Sequence, residues 1–491
     1  MELLLTVSKQ RPGTLRAQIE EQFRVAIRDG SLRAGSPIPS TRDLAGQLGV
    51  SRKVAVDAYA QLTAEGYLAM RQGAQPRVAS GPFRPADQGR RAPASARALR
   101  YDFLPARPDV SSFPREAWAR CLREAVMEIT VADLGYGDAF GVDALREGLA
   151  DYLGRVRGVV ADPGRVVVTN GYLQGLGLIC RTLATRGARR IALEDPSSWE
   201  EDHIAERAGL RPVRVPVDDL GLDVTALDRA GADAVVLTPA HQHPTGVVLA
   251  PERRAALVAW LRDRDAIAIE DDYDAEYRYD RPAVGALQGL DHHHVVYAGT
   301  VSKVLAPALR LGWMVIPPAL VDPVRLERQL FDQGTARIEQ HAFALFLARG
   351  DLDRHLRRMR IRYRARRDVI IGALATELPE ADVRGISAGL HVTVALPASD
   401  DEAAVRKAAA ARGIGLSTLA DYTALGDSTG LGGSTGLGDF TPADVRLAGH
   451  RTTARHPPTL VLGYCQMSDS RIRDGIRELA AVIRATRKAR A

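Results

Sequence analysis

Lysine is rare in this sequence, and one lysine lies where amine chemistry is expected. The chain has 491 residues and 66 cationic side chains. Only five of these are lysine: Lys9, Lys53, Lys303, Lys407 and Lys488. Lys303 ends the run Gly299-Thr300-Val301-Ser302-Lys303, which follows an apolar stretch. A primary amine can form a Schiff base with an aldehyde and a guanidinium cannot, so Lys303 is a candidate for covalent chemistry.

Groups suited to a phosphate surround this lysine in the sequence. Hydroxyls at Thr300 and Ser302 precede it and Arg310 follows it, and such groups bind phosphate by charge-assisted hydrogen bonds. A ligand that carries both an aldehyde for the amine and a phosphate for these groups is pyridoxal 5′-phosphate (PLP). The run therefore predicts a PLP site with Lys303 as its catalytic residue, and the alternative is a surface lysine in a Ser/Thr-rich loop.

Two further turns supply what PLP would need. Asp271 and Tyr273 end an apolar strand, where ligands of open α/β sheets bind. A carboxylate at the pyridine nitrogen makes the ring an electron sink, and a tyrosine hydroxyl can hydrogen-bond its phenolate oxygen. For Asp271 alone, a cap or a surface salt bridge is the alternative. Gly171 and Tyr172 stand between a strand and a helix, whose first N–H groups can bind phosphate, although many α/β turns contain one glycine.

The elements that must position these residues alternate along residues 101–491. Strand and helix patterns follow one another there, which predicts an α/β domain with a mostly parallel sheet. The strand candidates are 165–169, 190–193, 234–238, 266–270 and 294–298, with a helix at 251–264. A smaller α+β subdomain is predicted over about 366–491, with a helix near 363–377, strands near 390–396 and 459–464, and a last helix over 468–487. Its segment 426–458 contains the duplicated sequence STGLG and is predicted to be a flexible insertion.

The first hundred residues differ in charge from the rest. They carry sixteen cations and eight acidic residues, a net charge of +8, whereas the remainder carries −2. Residues 14–80 show a helix, a short helix, a tight turn, a third helix and two short strands, which predicts a winged helix-turn-helix over 1–80. Residues 81–100 are rich in Pro, Ala and Arg and predict a basic linker.

A winged helix would place specific side chains on DNA. The third helix begins at Arg52 and Lys53, which we expect in the major groove. Ser51 caps that helix and, like Arg42, can contact a phosphate. In the wing, Arg71 and Gly73 can reach the minor groove. The alternative is that these are solvated charges on a small helical domain.

Several other classes of protein are excluded by composition. The three cysteines are far apart and show no metal-ligand spacing. The adjacent histidines at 292–294 alternate in direction and predict no metal site. No signal peptide or membrane-spanning run is predicted, so we expect a cytoplasmic, nucleoid-associated protein.

Both halves resemble known families. The motifs PSTRDLA (39–45), LGVSR (48–52) and EGYL (65–68) resemble the GntR family of bacterial regulators. The runs EDP (194–196), TPAHQHPTG (238–246), EDDYDAEYRY (270–279) and GTVSK (299–303) resemble fold-type I aminotransferases. Joined in one chain, they resemble the MocR/GabR subfamily of GntR regulators, almost from end to end.

This resemblance implies a set of roles and partners. PLP would be bound at Lys303 as an internal aldimine, with Asp271 at the pyridine nitrogen and Tyr273 at the phenolate oxygen. The other cofactor contacts would be Thr300, Ser302, Arg310, Gly171, Tyr172, His241, His243 and Trp199. The expected partners are double-stranded operator DNA, an amino compound or PLP as effector, and a second copy in a head-to-tail, domain-swapped homodimer.

The sequence departs from the family at three places. Ser198 stands where an aromatic residue usually stacks on PLP, with Trp199 next to it. The strand at 459–464 carries no arginine for a substrate carboxylate, although Arg451 and Arg455 lie nearby. Val56 stands where some members place an arginine.

The leading hypothesis is therefore a PLP-binding transcriptional regulator with at most partial transamination activity. The alternatives are a working aminotransferase that carries a DNA-binding head, and a scaffold that has lost PLP. The missing arginine argues against the first alternative, and the set Lys303, Asp271 and Tyr273 argues against the second.

Overall fold

The computed structural model describes residues 5–71, 74–79, 99–280, 284–423 and 456–490. The chain divides into two compact units, Met1–Ser95 and Ala96–Ala491, and this division falls inside the predicted linker 81–100. Most of that linker, Gly73 of the wing and nearly all of the predicted insertion 426–458 lie outside the described residues.

The first unit forms three helices and a hairpin. Its elements are α1 (Leu15–Arg28), α2 (Thr41–Leu48), α3 (Arg52–Ala64), β1 (Leu68–Ala69) and β2 (Arg77–Val78). Thr14, Ser40 and Ser51 cap the three helices, each side chain accepting a hydrogen bond from a backbone N–H three residues on. β1 and β2 pair antiparallel. This is the winged helix-turn-helix that the sequence predicts.

The core of this unit lies between α1 and α3. Ile19, Phe23 and Ile27 are buried, as their spacing predicts, and Phe23 meets Tyr59 edge to face at 5.5 Å. The Tyr59 hydroxyl donates to the Pro39 carbonyl at 2.9 Å. Val54, near the start of α3, is only half-buried, because α3 is turned so that Tyr59 faces α1.

The second unit alternates helices and strands. Its helices are α4 (Arg115–Glu128), α5 (Asp143–Arg157), α6 (Tyr172–Thr185), α7 (Trp199–Arg207), α8 (Val224–Ala230), α9 (Pro251–Arg264), α10 (Val321–Phe331), α11 (Arg337–Ala348), α12 (Asp351–Glu377), α13 (Glu402–Ala411) and α14 (Asp469–Arg490). Its strands are β3 (Tyr101–Asp102), β4 (Val166–Thr169), β5 (Arg190–Asp195), β6 (Arg211–Asp218), β7 (Gly221–Leu222), β8 (Ala234–Leu237), β9 (Ile267–Asp272), β10 (Val295–Thr300), β11 (Gly312–Val315), β12 (Asp382–Arg384), β13 (His391–Ala395), β14 (Ile414–Gly415), β15 (Ser417–Thr418) and β16 (Thr459–Gly463).

Eight of the described strands form one large sheet in the order β4-β11-β10-β9-β8-β5-β6-β7. The strands β10, β9, β8, β5 and β6 run parallel, whereas β11 is antiparallel to both β10 and β4. β4 therefore points the same way as β10. The predicted α/β body is present, and the carboxyl ends of β4, β5, β8, β9 and β10 meet at one edge.

A smaller antiparallel sheet, in the order β12-β13-β16-β15, follows α12. Helix α12 begins at Asp351, twelve residues before the predicted start near 363. Leu352, Leu356 and Met359 are buried along this extra length, so tertiary packing extends a helix whose many arginines obscure its apolar face. No helix in the described part of the chain is long and apolar enough to cross a membrane.

Candidate cofactor cavity and DNA-binding face

A cavity of about 750 Å³ lies in the second unit at the carboxyl edge of the large sheet. Eight of the predicted cofactor residues line it: Tyr172, His243, Asp271, Tyr273, Thr300, Ser302, Lys303 and Arg310. They come from the ends of β4, β8, β9 and β10 and from the turns that follow. Parallel strands thus bring together residues that are up to 138 positions apart in the sequence.

Lys303 lies in the turn after β10 and lines this cavity. Burial lowers its pKa to about 8, and the nearby carboxylate of Asp271 opposes part of that effect. A lysine with such a pKa has an appreciable neutral fraction near neutral pH, and only the neutral amine is a nucleophile.

Asp271 lies in β9, paired in register with Ala298 of β10. Its Oδ1 is buried without a hydrogen-bond partner. Burial raises the pKa of this carboxyl well above its usual range, and the like charges of Glu201 and Asp272 add to the effect. A buried carboxylate without a donor is costly, and a ligand that presents a cationic N–H would satisfy it.

Two histidines differ in their relation to Tyr273. His243 lines the cavity, and its ring meets that of Tyr273 edge to face at 5.7 Å. His241 lies behind the tyrosine: its Nδ1 is 3.1 Å from the Tyr273 hydroxyl and 2.9 Å from Asp274 Oδ2. His241 is not among the described residues that line the cavity, and its Nδ1 contacts are with the Tyr273 hydroxyl and Asp274.

One corner of the cavity combines hydroxyls with an arginine. Thr300 Oγ1 is 3.0 Å from Ser302 Oγ, and Arg310 Nη2 donates to the carbonyl of Asn170 at 2.5 Å. Arg310 itself has a left-handed backbone, with φ 48°, which is strained for a residue with a side chain.

Gly171 lies directly against this arginine. Its φ is 92°, a backbone conformation that favours glycine, and a Cβ there would lie 3.1 Å from Arg310 Nη2, so that the guanidinium would have to shift. Tyr172, expected at the phosphate, donates its hydroxyl to Glu201 at 2.9 Å.

The residue expected to stack on a cofactor ring is not in the cavity. Among the described residues, Ser198 lines the cavity wall and Trp199 does not. The Trp199 ring packs edge to face against His203 of the same helix at 5.4 Å. The stacking role implied for Trp199 therefore has no support from the cavity wall.

Several charged and polar residues of the wall were not among the predicted cofactor contacts. They are Arg107, Glu194, Ser197, Glu200, Glu201 and Gln466. Burial raises the pKa of both Glu194 and Glu201 to about 7. The three consecutive acids at 200–202 are a signal of this acidic wall, but acidic residues are common in the first turn of any helix.

The histidines at 292–294 form no ion site in the structure. The rings of His292 and His293 pack at 4.2 Å, and His294 pairs with Asp291 at 3.1 Å. Among the described residues there is no group of three or more His, Cys, Asp or Glu side chains placed to hold a metal ion.

The first unit presents its predicted DNA contacts to solvent. Arg42, Arg52, Lys53 and Arg71 are exposed, and Lys53 has only a loose ion pair of 3.8 Å with Asp57. No carboxylate of the described chain pairs with Arg42 or Arg52 in the structure. The Ser51 hydroxyl accepts from Val54 N at 3.4 Å, which engages one of its lone pairs and leaves its proton available to an acceptor.

Comparison with known proteins places both units in families. Residues 15–78 match the family of bacterial regulatory proteins named gntR. Residues 109–424 match the family named aminotransferase class I and II. The pyridoxine biosynthesis transcriptional regulator PdxR of Corynebacterium glutamicum is 32% identical over 86% of this chain and 91% of its own length. The probable rhizopine catabolism regulatory protein MocR of Rhizobium meliloti is 30% identical over 85% of this chain and 89% of its own length.

The chain belongs to the MocR-type GntR regulators.

The body of this MocR-type regulator has the aminotransferase fold. The crystal structure of kynurenine aminotransferase from Pyrococcus horikoshii, in complex with PMP, matches it with a TM-score of 0.67 and 24% identity, over 79% of this chain and 92% of the enzyme. The main hypothesis from the sequence, a transcriptional regulator, is supported by these relatives over the alternative of a working aminotransferase that carries a DNA-binding head. The GntR unit implies that the MocR-type chain binds DNA.

Proposed function

We propose that this MocR-type regulator binds PLP in its cavity through Lys303 and that occupancy of the cavity by an amino compound, or by PLP itself, changes its affinity for operator DNA. The observation that carries the proposal is the opening of Lys303 and Asp271 onto one cavity. The lysine has a pKa of about 8, and the aspartate has a buried oxygen without a donor. When bound, PLP supplies an aldehyde that reacts with amines and a ring that withdraws electrons.

The residues of the cavity fit the parts of this cofactor. Lys303 supplies a neutral amine, because burial disfavours its ammonium form. Asp271 offers a carboxylate to a protonated ring nitrogen, and the N–H of that nitrogen would give the buried Oδ1 the hydrogen-bond partner that it lacks. Tyr273 holds its hydroxyl in a fixed direction through His241 and can donate to an oxygen on the ring.

The phosphate fits the corner formed by Thr300, Ser302, Arg310 and Gly171. There the glycine allows the arginine to approach the backbone within van der Waals contact, so that its charge reaches the cavity. The N–H groups at the start of α6 lie beside the same corner and favour an anion.

The experiment that tests the proposal is an absorption titration of the purified protein with PLP. The wild-type protein should gain the visible absorption of PLP bound to an amine, and Lys303→Ala should not. A matched control is Lys407→Ala, since Lys407 lies on α13 and is not part of the cavity wall. Equal spectra for wild type and Lys303→Ala would overturn the cofactor proposal.

Steady turnover as an aminotransferase is not favoured by the structure. β16, the strand expected to carry an arginine for a substrate carboxylate, reads Thr-Leu-Val-Leu-Gly and is buried throughout. Arg451 and Arg455 lie outside the described residues. Full transamination of an amino acid would require another cation at this strand. We therefore propose that the primary role of the cavity is to sense an effector, and that the protein acts on DNA in the cytoplasm.

We propose that the DNA contacts are Arg42, Ser51, Arg52, Lys53 and Arg71, with Gly73 in the wing. The exposure of the four cations and the N-terminal position of Arg52 on α3 support this assignment. Charges that attract phosphates give salt-dependent binding, so operator affinity should fall as salt rises.

A homodimer is supported by exposed apolar side chains on the second unit. We define the apolar surface as Met127, Val131, Leu134, Tyr136, Leu330 and Phe331, which are between 58% and 89% exposed. Arg325, on the helix that carries Leu330 and Phe331, forms an ion pair with Asp138, two residues after Tyr136. Exposed apolar side chains grouped in this way are typical of an interface, and we propose that a second copy covers them.

A further inference from the structure

Two carboxylates of the cavity wall, Asp271 and Glu200, have a buried oxygen without a hydrogen-bond partner, and the proposed cofactor accounts for Asp271 alone. Glu200, in the first turn of α7, lines the cavity and is only 8% exposed. Its Oε1 is buried without a hydrogen-bond partner, and no other described residue donates to its carboxylate. Burial raises the pKa of this group.

Three neighbouring acids, Glu194, Glu201 and Asp202, have partners within the protein, unlike Glu200. Glu201 accepts from the hydroxyls of Tyr172 and Ser197 at 2.9 and 3.0 Å. Asp202 forms an ion pair with Arg214. Glu194 accepts from Thr238 at 2.8 Å. A buried carboxylate next to three partnered ones is destabilising unless it takes up a proton or binds a cationic ligand.

The cations of the cavity wall do not serve as partners for the Glu200 carboxylate. Lys303 lowers the pKa of Glu200 electrostatically, but the proposed function uses its amine for the cofactor. Arg107 is 3.0 Å from Asp102, and Arg310 donates to a backbone carbonyl. The cavity with its cofactor therefore retains an acidic wall at Glu200.

The same wall offers little to an anion. Gln466 is neutral, Arg107 is already paired with Asp102, and the proposed function assigns Arg310 to the phosphate. An effector that ended in a carboxylate would meet Glu200 as a like charge, whereas a second ammonium would gain a charge-assisted hydrogen bond.

We propose that Glu200 selects an effector that carries a second positive charge, such as an aliphatic diamine, over amines that end in a carboxylate. The proposal rests on the proposed function, because one amine of the effector engages the cofactor end of the cavity while the other pairs with Glu200.

The test is calorimetric titration of the PLP-loaded protein with matched amines of three to six carbons. Each set contains a diamine, the corresponding monoamine and the corresponding ω-amino acid. The diamine of the best length should bind about tenfold to a hundredfold more tightly than its monoamine, as expected for a hydrogen bond between charged groups, and the amino acid should bind least.

Two variants locate the preference. Glu200→Gln keeps the shape of the side chain and should bind diamine and monoamine equally. Glu206→Gln is the matched control, since Glu206 lies on the same helix with a side chain that is 43% exposed, and it should keep the wild-type preference.

Equal affinity of the wild-type protein for diamine and monoamine would overturn the proposal, as would no heat with any amine in the series. A preference that survives in Glu200→Gln would also overturn it. Failure of the proposed function is distinguishable, because the protein would then show no visible PLP absorption before any amine is added.

Discussion

At the scale of single residues, the cavity works through two groups whose charge states are shifted by burial. Lys303 loses its proton more readily than a free lysine, and Asp271 holds its proton more strongly than a free aspartic acid. Each shift has the same cause and suits the same ligand. In the cavity wall, burial makes the amine of Lys303 nucleophilic and leaves the carboxyl of Asp271 able to bind a cationic N–H.

The Asp271→Asn variant tests the second of these groups. An amide cannot pair with a protonated ring nitrogen, so PLP affinity should fall by about tenfold to a hundredfold, the range of a hydrogen bond to a charged group. The measurement is an absorption titration with PLP. Asp219→Asn, at an exposed position, is the control, and a variant at 271 that binds like this control would refute the role of Asp271.

The pH dependence of PLP uptake tests the first group. The neutral amine of Lys303 increases as pH rises through its pKa of about 8. The rate at which apoprotein takes up PLP should therefore rise between about pH 6 and pH 9 and level off above. Stopped-flow absorbance measures this rate. A rate independent of pH over this range would contradict the lowered pKa.

At the scale of elements, the sequence predicts what is local and misses what is tertiary. The ends of β9 and β10 carry Asp271 and Thr300 because strands followed by polar turns have a clear local pattern. The contact of Tyr172 with Glu201, and the support of Tyr273 by His241, join residues about 30 positions apart, and no spacing rule indicates them. The position of Trp199 outside the cavity depends on how α7 is turned, which one helix pattern does not reveal.

The start of α3 gives a prediction at this scale. Arg52→Ala should weaken operator binding by about 1–3 kcal/mol, the cost of one lost base contact, while the PLP spectrum stays unchanged. Arg52→Lys is the informative companion, since it keeps the charge and should retain part of the affinity. Fluorescence anisotropy with labelled operator measures both, and wild-type affinity in Arg52→Ala would remove this residue from the DNA contacts.

The core of the first unit gives another prediction at the scale of elements. Phe23 is fully buried between α1 and α3, and Phe23→Ala should lower the free energy of unfolding by about 3–5 kcal/mol. Because the second unit has its own core, PLP absorption should persist. Thermal unfolding followed by circular dichroism provides the measurement. If the variant unfolds in a single transition and also loses its PLP absorption, the two units do not fold separately.

At the scale of the whole molecule, a basic DNA-binding unit of the GntR family is joined to an α/β body that carries the cavity and the apolar surface. A charge placed in an interface cannot be solvated when the interface closes. Phe331→Asp should therefore shift the protein from dimer to monomer in sedimentation velocity. Leu220→Asp, in the turn between β6 and β7 at the far edge of the large sheet, is the control that should remain dimeric. A Phe331→Asp protein of wild-type size would contradict the proposed interface.

The most direct test of the central claim uses the scarcity of lysine. The PLP-loaded protein is treated with borohydride, which fixes the cofactor to whichever lysine holds it, and its peptides are mapped by mass spectrometry. The account predicts the phosphopyridoxyl group on the peptide that contains Lys303 and on no peptide with the other four lysines of the chain. Attachment at another lysine, or none at all, would contradict it.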